Sequence, residues 1–426
     1  FGSSFEFCRA MINGGASAAS GADYQKDADF FCERVLTDEF WDQTWEKKWH
    51  KLNLSREDGN IFVDVGVDHM LESVFRAPQR NVKLFRADEN AGSNTTPLHA
   101  YTDGYSIVIN QVERTNKRLY DFCRALGDKH FFHVFAVAYL TPPGKQAVSA
   151  HTDDQEVFIC QSWGTKKWYL YPDAKLPMRI YSEEMVGKEG AIPEHLLGEP
   201  TEILLQPGDV MYLPRGMAHK AAVPEDATVP SLHFTITVPS SDFGFGVLMA
   251  YQLQSMLTST TLTAATDKFC RTACTRKAFE GDTSKLQEEL EAATAELAKG
   301  VSLTSIQTNF EGRMARQNES RDKEVEFLMD KDLPPFPREL SKVRLVPGVT
   351  IRSVSGVNVI FARDDQTLDT HVAPTATDLV GQLSSVPKMA KSFTCLDPFE
   401  RMCVFFIFNR MKVVQILPPG DDPDWS

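Results

Sequence analysis

The chain has 426 residues, 42% hydrophobic and 24% charged, the balance of an ordinary globular protein. Its formal net charge of −13 argues against broad affinity for a nucleic-acid backbone and is compatible with a basic protein partner. No stretch is apolar and long enough to cross a bilayer as a helix, and among 8 cysteines only Cys270 and Cys274 lie close together, too few for a four-ligand zinc site.

In chain order, residues 1–22 are mixed and rich in small side chains. They lack the basic start and apolar core of a signal peptide, so none is expected. Residues 27–50 read as one helical entrance: Phe30, Phe31, Val35 and Leu36 recur at helical spacing, and Trp41, Trp45 and Trp49 extend the stripe. From 61 to 238 the period shortens. Strands are expected at 105–110, 134–140, 157–161, 167–171, 202–205, 210–213 and 231–238, punctuated by Thr141-Pro142-Pro143-Gly144, Trp163-Gly164-Thr165 and Gln206-Pro207-Gly208-Asp209. Many short strands with Gly/Pro turns point to a closed or sandwiched sheet, not to alternating parallel β-α units. A helical insertion is expected at 115–127. Residues 242–331 lose the strand character, with helices expected at 245–257, 284–298 (capped by Gly300) and 319–329. Leu333-Pro334-Pro335-Phe336-Pro337 marks a boundary. The tail at 340–419 mixes strands with a helix near 373–383. Its apolar runs at 404–408 and 413–417 suit either a core or an interface, and the acidic end at 421–424 suits a solvated terminus.

The sharpest chemical signal is His151-Thr152-Asp153 with a later His219. Alternate residues of an extended chain point the same way, so His151 and Asp153 can address one metal, while Asp154 points away. Two imidazoles and one carboxylate are the facial donor set of a non-haem Fe(II) oxygenase, which leaves coordination positions open. His-x-Asp alone is common. It gains weight from Gln206-Pro207-Gly208-Asp209-Val210-Met211-Tyr212-Leu213-Pro214, a strand-turn-strand that delivers His219. Of the other histidines, His133 reads as a core or surface residue, and His233, in an alternating strand, as a candidate for the cavity wall.

The ordered set Tyr139-Leu140-Thr141-Pro142-Pro143-Gly144, His151-Thr152-Asp153-Asp154, Gln161-Ser162-Trp163-Gly164-Thr165-Lys166-Lys167-Trp168, Leu197-Gly198-Glu199-Pro200 and Leu213-Pro214-Arg215-Gly216 resembles the JmjC-type ribosomal oxygenases. These are 2-oxoglutarate- and Fe(II)-dependent hydroxylases of ribosomal proteins. The resemblance covers about residues 105–238, with weaker support in the tail. It implies a mainly β catalytic core, a JmjC/cupin-like double-stranded β-helix with added helices, then an α-helical dimerisation module and a winged-helix-like α+β module. The corresponding divisions are 1–241, 242–335 and 336–426.

The resemblance implies His151, Asp153 and His219 as iron ligands and Lys166 as the partner of the 2-oxoglutarate distal carboxylate, with Tyr139 beside it. Lys167 should face the opposite side. His233, Asn110 and Ser106 are candidates for the pocket or its supporting layer. One departure stands out: the family often places an Asn two residues before its tyrosine, where this chain has Val137. Valine cannot supply an amide's hydrogen bonds. The implied reaction consumes O2 as cosubstrate and hydroxylates a histidine or arginine of a basic ribosomal protein, with no side-chain nucleophile. The competing expectations are a histone lysine demethylase and an inactive cupin-like scaffold. The resemblance further implies a homodimer. The tail lacks a dense basic stripe, which argues against direct nucleic-acid binding, and the sequence fixes no compartment.

Overall fold

The computed structural model describes residues 21–54, 62, 65–87, 89–90, 95–176, 187, 192–258, 262–273, 275–280 and 283–417. The expectations for residues 1–20, Cys274 and 421–424 lie outside them.

The entrance is two helices, not one: α1 (Gly21–Arg34) and α2 (Asp38–Gln43). The Thr37 hydroxyl accepts the Phe40 N–H at 3.2 Å and caps α2. This local hydrogen bond competes with helix continuation, which the hydrophobic spacing did not register. The chain then turns into strand β1 (His50–Asn53), so Trp49 leaves the expected stripe. Trp41 and Trp45 pack on Phe131 at 5.6 and 5.4 Å, and Trp45 stacks on Tyr212 at 5.8 Å. Trp49 packs instead into a separate cluster.

The chain continues with α3 (Met70–Arg76), β2 (Val82–Arg86), β3 (Glu89–Asn90), α4 (Pro97–Thr102), β4 (Ser106–Asn110) and α5 (Lys117–Leu126). Strands β5 (Phe135–Thr141), β6 (Glu156–Trp163) and β7 (Lys166–Tyr171) follow, then α6 (Glu194–Leu197), β8 (Thr201–Leu205), β9 (Asp209–Leu213), β10 (Ala218–Ala222) and β11 (Ser231–Val238). One antiparallel sheet has the order β1-β9-β6-β11-β5-β4-β2-β3, and a smaller one the order β10-β7-β8. Strict alternation sorts β6 and β9 between two cores. Phe158, Cys160, Val210 and Tyr212 face the helical layer with Phe31, Phe40 and Phe122. Val157, Ile159, Met211 and Leu213 face the small sheet and meet Trp168, Leu170, Ile203 and Leu205. Each such aliphatic side chain contributes about 1.5–3 kcal/mol when fully buried. The described residues thus form a sheet-on-sheet sandwich, and no ladder closes it into a barrel.

Among the described residues five helices follow: α7 (Phe245–Leu257), α8 (Ala264–Arg271), α9 (Arg276–Phe279), α10 (Ser284–Lys299) and α11 (Leu303–Met329). The expected 319–329 helix is only the end of α11, which begins at a reciprocal Ser302/Ser305 capping box. Its buried face mixes Ile306, Phe310, Met314, Val325 and Leu328 with polar Asn318 and Arg321. The polar pair grips the chain entering β5. Arg321 donates to the Val134 carbonyl at 2.7 Å, and Asn318 donates to the Phe132 carbonyl at 2.9 Å. His133 Nδ1 lies 2.9 Å from Asn318 Oδ1, so His133 is a satisfied core histidine.

The tail holds β12 (Lys342–Leu345), β13 (Val349–Ser355), β14 (Asn358–Arg363), β15 (Gln366–His371), α12 (Thr377–Gln382), β16 (Lys388–Met389), α13 (Pro398–Arg410) and β17 (Val414–Leu417). The apolar run 404–408 belongs to α13, where Phe405, Phe406 and Phe408 are buried in the main core. Tyr101 OH donates to Asp397 at 2.8 Å, tying the tail to α4. The whole is a mixed α/β fold. No described helix is long and apolar enough to cross a membrane.

Candidate metal centre

Two backbone segments bring the sharpest motif together. His151 and His219 form an antiparallel bridge, each N–H donating to the other's carbonyl at 3.0 and 2.9 Å. The Gly216 N–H donates to the Asp153 carbonyl at 2.7 Å, which anchors the loop after His151 to the turn before His219. Asp153 Oδ1 lies 4.0 Å from His151 Nε2, and its Oδ2 lies 3.7 Å from His219 Nε2. One donor atom from each of the three falls within 4.8 Å of the others.

Both rings are prepared for a metal by their second nitrogen. His151 Nδ1 lies 2.8 Å from the Ser149 carbonyl, and His219 Nδ1 lies 2.8 Å from the Met217 carbonyl. A carbonyl only accepts, so each Nδ1 carries a proton, and Nε2, the nitrogen that faces Asp153, is the atom each ring can offer a metal. Asp154 is turned away, accepting from Ser241 at 3.3 Å.

The cavity beside the triad is lined by Tyr139, Val157, Ile159, Lys166, Trp168, His233 and Thr235, among others. Lys166 is 2% exposed. Its ammonium donates to the Thr141 hydroxyl at 3.1 Å, and Ser106 donates to the same oxygen at 3.1 Å. Burial without a carboxylate lowers its pKa to about 7, because a buried cation lacks solvation. Lys167, as expected, faces outward and pairs with Glu202 at 2.6 Å. The Tyr139 ring lies flat on His233, with centroids 4.8 Å apart and planes 3° apart. Trp168 meets His233 edge-on at 5.4 Å. Burial first, then the nearby Lys166 and His219, push His233 well below the ordinary histidine range, so its ring is neutral. Two buried donor-capable atoms here, Trp168 Nε1 and His233 Nδ1, have no hydrogen-bond partner. A divalent cation suits the two imidazoles and carboxylate, and an anion suits the buried lysine.

Ser106 and Asn110 are not in this wall. Ser106 acts one layer back through Thr141, and Asn110 sits beside Val137 in the β4–β5 ladder. Val137 lies between Asn110 and Thr235 in the same cross-strand row, so the missing amide falls next to the cavity-lining Thr235. Thr141, which holds Lys166, and Trp168, which lines the cavity, carry no role in the sequence pattern by themselves. The alternation from Tyr139 and Lys166 would have placed both on the cavity side.

Comparison with known proteins fits this geometry. Residues 107–243 match the model of a JmjC domain. A Dictyostelium discoideum protein described as a bifunctional lysine-specific demethylase and histidyl-hydroxylase is 30% identical, covering 52% of this chain and 45% of that one. Ribosomal oxygenase 2 of Rattus norvegicus is 34% identical, covering 46% of this chain and 38% of its own length. The chain thus spans less than half of either curated relative. Among solved structures, the ribosomal oxygenase YcfD of Escherichia coli with cobalt and 2-oxoglutarate is 14% identical, at a TM-score of 0.41 over 90% of this chain and 99% of that one.

Proposed function

We propose, from the match of residues 107–243 to a JmjC domain and the homology to ribosomal oxygenases, that the chain is a 2-oxoglutarate- and Fe(II)-dependent dioxygenase. Its client in this reading is a ribosomal protein, hydroxylated on a histidine or arginine side chain. One observation carries it: two oriented Nε2 atoms and a carboxylate converge beside a buried lysine whose charge is opposed by desolvation.

In this reading His151, Asp153 and His219 hold the iron by one face. When bound, iron and 2-oxoglutarate supply the oxidising chemistry: O2 is consumed, the keto acid leaves as succinate and CO2, and one oxygen atom reaches the client. The chain's own residues bind, orient and exclude. Lys166 pairs with the distal carboxylate of the cosubstrate, held in place by Thr141 and Ser106. Tyr139, stacked on neutral His233, walls the cavity next to that lysine. Val157, Ile159 and Trp168 keep water from the reacting face, which strengthens every charge interaction inside. Val137, where relatives often carry an amide, leaves Thr235 as the nearby polar side chain of the cavity wall for a client.

The same reading takes the sandwich as a double-stranded β-helix within residues 1–241, residues 242–335 as a homodimerisation module and residues 336–426 as a winged-helix-like module. The net charge of −13 favours a basic client and disfavours direct nucleic-acid binding. The test is a mass screen. The iron-reconstituted chain, 2-oxoglutarate and a complete native set of ribosomal proteins should yield one client heavier by one oxygen atom. Cosubstrate turnover with no such product refutes the client class. The name of the Dictyostelium relative keeps a second reading, lysine demethylation, in view. Formaldehyde release from a methylated histone peptide, in place of a stable oxygenated product, would establish it instead.

A further inference from the structure

Glu156 is wholly buried, three residues after Asp153, and the reaction as described makes no use of it. Its carboxylate accepts the Tyr212 hydroxyl proton, and its other oxygen lies 3.9 Å from Arg215 Nε. The Arg215 backbone N–H also stabilises it. Tyr212 OH in turn accepts the Glu46 N–H at 2.8 Å, and the Glu46 carboxylate lies 3.5 Å from the Arg215 guanidinium. Glu46 itself has a φ of 57°, a conformation that costs a non-glycine residue energy and persists only where neighbours hold it. Phe40 packs edge-on against the Tyr212 ring at 5.0 Å, and Trp45 stacks on it.

These contacts converge on one short turn. Arg215 is followed by Gly216, whose N–H holds the Asp153 carbonyl, and Met217, whose carbonyl fixes the His219 ring. The turn therefore sets two of the three donor side chains, and the buried carboxylate sits directly beneath it.

We propose that Glu156 is a positioning residue for the metal site, holding the Pro214-Arg215-Gly216 turn through Arg215 and Tyr212 so that Asp153 and His219 meet at one ion. The inference rests on the metal-site reading above and adds a link from the loop after α2 to the donors. Supporting groups behind metal ligands change metal affinity by about ten- to a hundredfold when removed.

The experiment titrates the full chain with Co(II), following the visible spectrum of the bound ion, in wild type, Glu156→Gln and Tyr212→Phe. Circular dichroism and thermal melting run alongside. The expected result is at least tenfold weaker Co(II) binding by Glu156→Gln with an altered spectrum, and a smaller loss in the same direction for Tyr212→Phe. A merely architectural role would lower the melting temperature and leave affinity and spectrum unchanged, and that outcome overturns the inference. If Glu156→Gln does not fold, Tyr212→Phe decides, because it deletes a single hydroxyl: unchanged affinity and spectrum overturn the inference, weakened binding supports it. A wild-type chain that binds no Co(II) overturns the functional reading and this inference with it, whereas normal wild-type binding with unchanged variants overturns this inference alone.

Discussion

The buried lysine makes cosubstrate binding depend on pH in a direction fixed by its surroundings. Lys166 lies in the cavity wall, where among the described residues its ammonium has the Thr141 hydroxyl as its one hydrogen-bond partner, and burial lowers its pKa to about 7. The charged form, which a carboxylate needs, dominates below that value and is lost as the pH rises through it. At pH 8 only about one molecule in ten carries the ammonium in the free enzyme, since one pKa unit is a tenfold change. A bound carboxylate restores the missing counter-charge and raises the pKa, so binding at pH 8 should take up close to one proton. The dissociation constant of 2-oxoglutarate should then rise roughly tenfold per pH unit above about 7.5. Anaerobic calorimetry of the metal-loaded chain, in buffers of different ionisation enthalpy, measures both affinity and proton uptake. Lys166→Arg should flatten the profile, because a guanidinium stays charged throughout. Constant affinity up to pH 9 without buffer-dependent heat would refute the reasoning. So would an Arg variant with the wild-type slope, since another group would then be titrating.

Three further outcomes follow from the packing. Thr141→Val removes the acceptor shared by Lys166 and Ser106. It should weaken 2-oxoglutarate binding about fivefold, the worth of roughly 1 kcal/mol of hydrogen bonding, while Co(II) affinity stays the same. Arg321→Met breaks the bond to the Val134 carbonyl and strips a cation from near the buried Glu113 carboxylate. Urea unfolding should show a loss of about 2 kcal/mol, the scale of leaving the buried Val134 carbonyl without its donor, while Arg114 and the Ala136 N–H still hold Glu113. Thr37→Ala removes the cap that separates α1 from α2 and should cost about 1 kcal/mol in the same assay; a more stable variant would mean that the break has another cause.

Most of the sandwich was legible because its strands alternate. The alternation from Ser231 to Val238 marks the strand that forms there, and the alternation of β4 to β9 marks their bounds to within about two residues, since a buried face enforces period two. The triad was legible from residue type and spacing alone: His151 and Asp153 lie in the loop between β5 and β6, and His219 lies on β10, a strand outside the expected set, joined to His151 by an isolated bridge. Helix α11 was only partly legible: its inner face includes Asn318 and Arg321, whose polarity breaks the apolar pattern although both are buried and paired across the fold. The break at Thr37 was hidden because a single side-chain hydrogen bond, not hydrophobic spacing, decides it. The tail's apolar run 404–408 suits core or interface in sequence, because α13 carries apolar side chains on more than one face and only its packing against α3, α4, β14 and β17 decides. Glu156 offered no signal: in sequence it is one acid in an acidic stretch, and its isolation from water arises only when β6 packs between β9 and β11.

The central claim is that His151, Asp153 and His219 hold one iron beside a 2-oxoglutarate site. Its most direct test is succinate formation by the Fe(II)-reconstituted full chain, compared with Asp153→Ala and with metal-free protein. The account predicts succinate from the wild type only when Fe(II) and O2 are both supplied, and none from the variant. Equal turnover by Asp153→Ala would contradict it, as would a metal-loaded wild type that binds 2-oxoglutarate no better than the apo form.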